Sequence, residues 1–275
     1  RYLLCGRYRN HGDSRTGTGA GARGLEFAIF EGTTPTGPFT KILSFTKQDL
    51  SRPEAPVVSI EGGKLFVGSS GVEMIVSTEK GIAYPEALGS FQKPGTGVWS
   101  IDRIGAASIE ALDSATMTEV QSSGDGATLH VKDPVVFDSP AGGTALMFCS
   151  HPFGWASSNT GLAKRGEGEG EFVLQTRSVL ERGATWDVAC ARVTDRLAVP
   201  QVGLLAGLPR LSLYFYDGAE CLRSLDENAK AVSRPRGYSC EELGGLAWGW
   251  DAEFPKMQRL SLDFPLFTSP HGTGC

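Results

Sequence analysis

The sequence predicts an all-β protein, a sandwich, barrel or propeller, on three observations. Short runs of β-branched, aromatic and aliphatic residues recur along the chain. Clusters of Gly, Pro, Asn and Asp punctuate them at fairly regular spacing, and helical periodicity is sparse. Glycine reaches 36 of 275 residues and aromatics 9%, which suits turn-rich β structure and argues against a helical bundle.

The elements follow in order. Arg1–Tyr8 and Leu25–Phe30 read as strands, and the turn Gly32–Pro38 leads into Phe39–Phe45. Val57–Ile60, Lys64–Val67, Glu73–Ser77 and Val98–Arg103 come next, the first two parted by a glycine turn at Gly62-Gly63. Beyond a polar stretch lie Thr128–Phe137, Thr144–Ser150, Glu171–Thr176 and Trp186–Arg192, then Leu211–Tyr216, Glu220–Leu222 and Met257–Phe264. Short helices are expected only at Ser108–Ala115, where Ser108 can cap, and at Cys240–Leu246. Lys164–Gly170 reads as a charged, solvated glycine loop.

Grouped by turns, these runs make five modules: Arg1–Phe45, Pro56–Gln121, Thr128–Pro200, Leu208–Val232 and Leu246–Ser269. The longest exceed a WD40 unit of ~40–45 residues and suit elaborated propeller blades. A sandwich with long loops would show similar punctuation. The expected organisation is one propeller domain over 1–275, with a few flanking residues missing at one or both ends, since the chain opens on Arg1 and stops at Cys275.

With 40% hydrophobic residues the chain can bury a substantial core. Its formal net charge is −5 and its pI about 5.5, and no long Lys/Arg block occurs. A nucleic-acid backbone or a membrane is therefore not an expected partner, and no run is long enough to span a bilayer. The six cysteines are scattered without a CxxC pair, which reads as reduced structural thiols and favours a cytoplasmic location, secretion remaining open. The four histidines show no zinc-ligand spacing. No GxSxG elbow, P-loop or GxGxxG in context is present, and Gly17–Gly21 reads as a flexible loop.

Two acids stand at the edges of β-forming runs, where Asp and Glu are depleted. Glu61 lies in Ser59-Ile60-Glu61-Gly62-Gly63, with glycines that let a ligand approach the backbone. Asp133 lies in Val131-Lys132-Asp133-Pro134, where Pro134 stiffens the chain and removes a ladder donor. Lys132 would favour the ionised form of Asp133, although Asp-Pro is also a routine turn element. Asp217, in Tyr214-Phe215-Tyr216-Asp217-Gly218, first signals a hairpin turn; Glu220 is its substitute. Glu54, in Arg52-Pro53-Glu54-Ala55-Pro56, sits in a proline-bracketed loop and ranks lower.

Ser59-Ile60-Glu61-Gly62, Val131-Lys132-Asp133-Pro134, the opening Arg1-Tyr2-Leu3-Leu4…Arg7-Tyr8-Arg9 and the phrase Leu25–Phe45 resemble the five-bladed β-propeller glycoside hydrolases, the arabinanase, xylosidase, levansucrase and invertase group. The resemblance implies an all-β five-bladed propeller whose inner-strand acids meet around one axis and cleave a glycosidic bond. Glu61, Asp133 and Asp217 then form the expected catalytic set, two carboxyls flanking the scissile bond. The family pattern also wants an Asp on the first inner strand, which lies upstream of Arg1 or is replaced by Asp13.

For the substrate, Trp155 would stack on a sugar ring, and Arg7 and Arg9, on one face of a strand, would suit an anionic sugar. His11, Lys132, His151, Tyr216, Glu220 and His271 complete the expected substrate contacts. No cofactor is required; a structural calcium or sodium ion on the axis, near His271, is the one ion the resemblance allows for. A non-catalytic carbohydrate-binding propeller is the alternative. A sialidase-like six-bladed propeller ranks last, because the Ser-x-Asp-x-Gly-x-x-Trp boxes it requires do not occur.

Overall fold

The structure, a computed structural model, describes residues 1–8, 25–68, 71–80, 98–115, 117–122, 130–151, 158–167, 170–219, 223–224, 238–239 and 243–267. They form an all-β fold of four antiparallel blade-like sheets and one short hairpin. Two compact units divide the chain, residues 1–134 and 135–275.

In the first unit, β1 (Tyr2–Tyr8), β2 (Glu26–Gly32) and β3 (Phe39–Thr46) make a three-stranded sheet in that order. β4 (Val57–Gly68), β5 (Gly71–Lys80), β6 (Val98–Ala106) and β7 (Met117–Ser122) make a four-stranded meander. Phe27, Ile29, Phe45, Leu50, Ile60, Met74, Val76, Ile104 and Leu112 form their shared core. The central strand β5 is buried on both faces, Val72 to Lys80. Its Lys80 is only 1% exposed and therefore needs a partner; Asp102, 0% exposed, lies 3.0 Å away and also accepts from the Ser100 hydroxyl at 3.1 Å.

β8 (His130–Asp138), β9 (Thr144–His151), β10 (Asn159–Arg165) and β11 (Val173–Leu180) form the next sheet. In the second unit, β12 (Cys190–Ala198) and β13 (Leu211–Ala219) continue the series. A hairpin of β14 (Arg223–Ser224) and β15 (Tyr238–Ser239) precedes β16 (Leu243–Trp250) and β17 (Gln258–Arg259). The last sheet runs β12-β13-β16-β17. Val135, Met147, Leu162, Trp186, Val193, Tyr214, Tyr216 and Ala247 make the core of this unit.

Several expectations change here. The described residues hold four blades, not five, because β13 and β16, drawn from the modules 208–232 and 246–269, share one sheet: they pair without interruption from Leu211↔Trp250 to Gly218↔Leu243. Cross-strand pairing across a long connection is invisible to local punctuation. Val57–Ile60 and Lys64–Val67 are one strand, since Gly62 and Gly63 pair with β5 instead of turning. Gly63 is a close-approach site; a Cβ there would stand 2.8 Å from both the Ile75 carbonyl and the Phe27 ring. From Leu243 onward the Cys240–Leu246 helix is strand, and Ser108–Ala115 holds only a single 3-10 turn, Leu112–Ser114. Arg165, expected in a solvated loop, ends β10 buried with its guanidinium 4.7 Å from the Phe172 ring centre. Cys149 and Cys190 are buried, and burial pushes the half-buried Cys5 thiol up. No helix among the described residues is long and apolar enough to cross a membrane.

Breaking the buried pair is the test of this core. Asp102→Ala leaves the buried Lys80 ammonium to the more exposed Glu119, 3.5 Å away, and is expected to cost about 3 kcal/mol in urea denaturation; a loss under about 1 kcal/mol would mean that Glu119 or water compensates the charge.

Candidate functional site

β4 shifts register against β5 twice, between Val57 and Ser59 and again between Ile60↔Thr78 and Gly62↔Ser77, and Glu61 is the extra residue of the second β-bulge. Bulges re-aim a side chain, and Gly62 beside it imposes no Cβ. Glu61 is 9% exposed, and a buried carboxylate needs donors for its oxygens. Ser59, two residues earlier and so on the same face, donates its hydroxyl to Oε1 at 2.6 Å. Arg7 of β1 donates Nη1–H to Oε2 at 2.9 Å. β1 and β4 are edge strands of their sheets, so this ion pair ties one sheet edge to the next.

Asp133 arrives from β8, another edge strand. Its φ is +54°, and it is the one non-glycine residue in the left-handed region among the described residues. That conformation costs roughly 1–2 kcal/mol for an ordinary L-residue, least for Asn and Asp. The following Pro134 already excludes the right-handed helical region at this position. The outcome is local and chemical: Asp133 Oδ1 stands 3.9 Å from where a Gly62 Cβ would be. A half-buried carboxylate therefore rests against the residue after the bulged Glu61.

Of the expected catalytic set, Glu61 and Asp133 are thus brought together. Asp217 lies within β13 rather than at a turn, because Asp217 and Gly218 pair with both Arg192/Ala191 and Gly244/Leu243. Its two oxygens accept from Arg192 Nε, at 3.1 Å, and from Nη2. Glu54 is on the surface, 72% exposed and 3.8 Å from Arg52.

Among the expected substrate contacts, Arg7 serves Glu61, so the anionic-sugar role expected of it gives way to holding a protein carboxylate. Lys132 is half-buried on β8. Tyr216 is 1% exposed in the core of the second unit, stacked on Trp186 at 5.5 Å, its hydroxyl donating to Asp187 at 3.2 Å. Burial, then the Asp187 charge, pushes its phenol up. That is a core position rather than a ligand surface. Arg9, His11, Asp13, Trp155, Glu220 and His271 lie outside the described residues, as does the side chain of His151. Among the described residues no three of His, Cys, Asp and Glu are grouped to hold a metal.

Sequence reasoning missed Ser59, although the two-residue strand period puts it on the face of Glu61. It also missed Arg192 and the Asp187–Arg259 pair at 2.9 Å; these depend on register and long-range packing and leave no local signal.

The fold has solved counterparts. A thermostable family-43 glycoside hydrolase superposes with a TM-score of 0.56 at 12% identity, over 98% of this chain and 72% of that one. A glycosyl hydrolase from Bacteroides ovatus gives 0.52 at 10% identity, over 96% of this chain and 67% of that one. An exo-β-1,3-galactanase from Phanerochaete chrysosporium, solved with β-1,3-galactotriose, gives 0.46 at 14% identity, and the chain spans 45% of its length. No protein-family profile and no curated protein matches the chain. The protein is an all-β propeller, and its fold is that of the family-43 glycoside hydrolase.

Removing the arginine tests how the site is held. Arg7→Ala leaves a buried carboxylate without its cation and is expected to lower stability by roughly 3 kcal/mol, the low end for a broken buried pair. Ser59→Ala is expected to cost about 1–2 kcal/mol. Both are read from denaturation midpoints, and two neutral results would mean that Glu61 does not depend on either donor.

Proposed function

We propose that this protein is a glycoside hydrolase that acts through Glu61 and Asp133. One observation carries the reading: Asp133, left-handed on β8, lies against Gly62, the residue that follows the bulged Glu61 on β4, although the two acids are 72 residues apart in sequence. Backbone strain concentrated at a pair of acids is a mark of function. Cleavage of a glycosidic bond needs one carboxyl to protonate the leaving oxygen and another to activate water or attack the anomeric carbon. Glu61, both oxygens accepting hydrogen bonds, is arranged as the ionised partner. Asp133, half-buried beside Gly62, supplies the second carboxyl, for proton delivery or charge stabilisation at the sugar. The substrate is accordingly a carbohydrate. The likeness to a family-43 glycoside hydrolase supports the fold in which such a pair would work.

The test is turnover on a panel of aryl glycosides and oligosaccharides. Glu61→Gln and Asp133→Asn are each expected to lower kcat by about 10²–10⁴-fold while the circular dichroism spectrum stays that of the parent. Near-parental rates in either variant would remove that residue from the chemistry. Binding of sugars without turnover by the parent protein would turn the reading to a carbohydrate-binding propeller.

A further inference from the structure

Ser77 is a residue of the first unit whose chemistry the site has not absorbed. It is fully buried on β5, and its hydroxyl has no hydrogen-bond partner among the described residues. A buried hydroxyl in that state calls for a ligand or a water. Its position is informative. Ser77 pairs directly with Gly62, and directly opposed residues of an antiparallel pair project from the same face, with their Cβ positions ~4.5–5.5 Å apart. The Gly62 side of that face has no side chain. A Cβ built there meets nothing within 4 Å except Asp133 Oδ1, at 3.9 Å. Ser77 and the Asp133 carboxylate therefore both lie beside the side-chain-free face of Gly62, next to the bulged Glu61.

We propose that the space over Gly62 binds one hydroxylic oxygen, held between the Ser77 hydroxyl and the Asp133 carboxylate. The oxygen donates to the carboxylate and exchanges a hydrogen bond with Ser77 Oγ, which satisfies the buried hydroxyl. Water and a sugar hydroxyl share this chemistry. Ser77 is then a positioning residue, and Gly62 is a glycine because a methyl group would occupy the oxygen's place. The chemical consequence rests on reading Glu61 and Asp133 as the acid pair; the binding site itself does not.

Two measurements on the whole protein test it, and neither uses turnover. A high-resolution crystal structure is expected to show an oxygen within ~2.6–3.2 Å of both Ser77 Oγ and an Asp133 carboxylate oxygen. A soak in D-galactose distinguishes the sources: density that stays an isolated peak assigns water, and density that joins a sugar ring assigns a hydroxyl of the ligand. The absence of any oxygen there, with and without the soak, overturns the proposal. Stability supplies the second reading. An orphaned hydroxyl is lost at no cost or with a gain, so Ser77→Ala is expected to lower the urea midpoint only if the oxygen is held. That loss is expected to vanish in a Gly62→Ala background, where the methyl group has already displaced the oxygen. A Ser77→Ala protein as stable as the parent, or an undiminished loss in the Gly62→Ala background, counts against it. Failure of either reading leaves the turnover test of Glu61 and Asp133 standing, and the reverse holds too.

Discussion

The candidate site depends first on one irregularity of β4, the bulge that sets Glu61 out of register with β5. In an unbroken ladder a residue's face is dictated by alternation, and its neighbours are those the pairing assigns. One extra residue frees Glu61 from that assignment while Ile60 and Gly62 remain paired on either side. The carboxylate can then meet Ser59 from its own strand and Arg7 from the edge of another sheet. A nearly buried acid held by a hydroxyl and a guanidinium has few rotamers left to it, so its geometry is set before any ligand arrives.

Asp133 reaches the same place by a different device. A left-handed residue redirects the chain of β8, and the cost is tolerable because aspartate is among the residues least penalised there. Gly62 completes the arrangement by contributing no side chain at the point where the second carboxylate rests. Two kinds of local departure from ideal strand geometry thus converge within the first unit. Around them the unit is closely packed: a continuous apolar core and a fully buried lysine neutralised by Asp102. Packed surroundings are what can bear strain at one point.

The second unit shows where a plausible acid is put to structural use. Asp217 is clasped by Arg192 across β12 and β13, while Asp187 accepts from both Arg259 and Tyr216 beneath the Trp186 ring. Both carboxylates sit with guanidinium partners inside or beside a packed sheet, as buried charges must. A strand acid is therefore no sufficient sign of chemistry; what distinguishes Glu61 and Asp133 is irregular backbone at both.

The all-β class was legible in the amino-acid order, because strand runs and turn residues act locally: Tyr214 and Tyr216 alternate with half-buried neighbours as the two-residue period requires. Glu61 and Asp133 stood out as candidates for the same reason, as acids placed against β propensity beside glycine or proline. Tertiary structure alone decided the number of sheets, the bulge at Glu61, the partnership with Arg7 and the capture of Asp217 by Arg192. Each of these is a pairing between segments far apart in the chain, and no local propensity records which distant strand a residue will face.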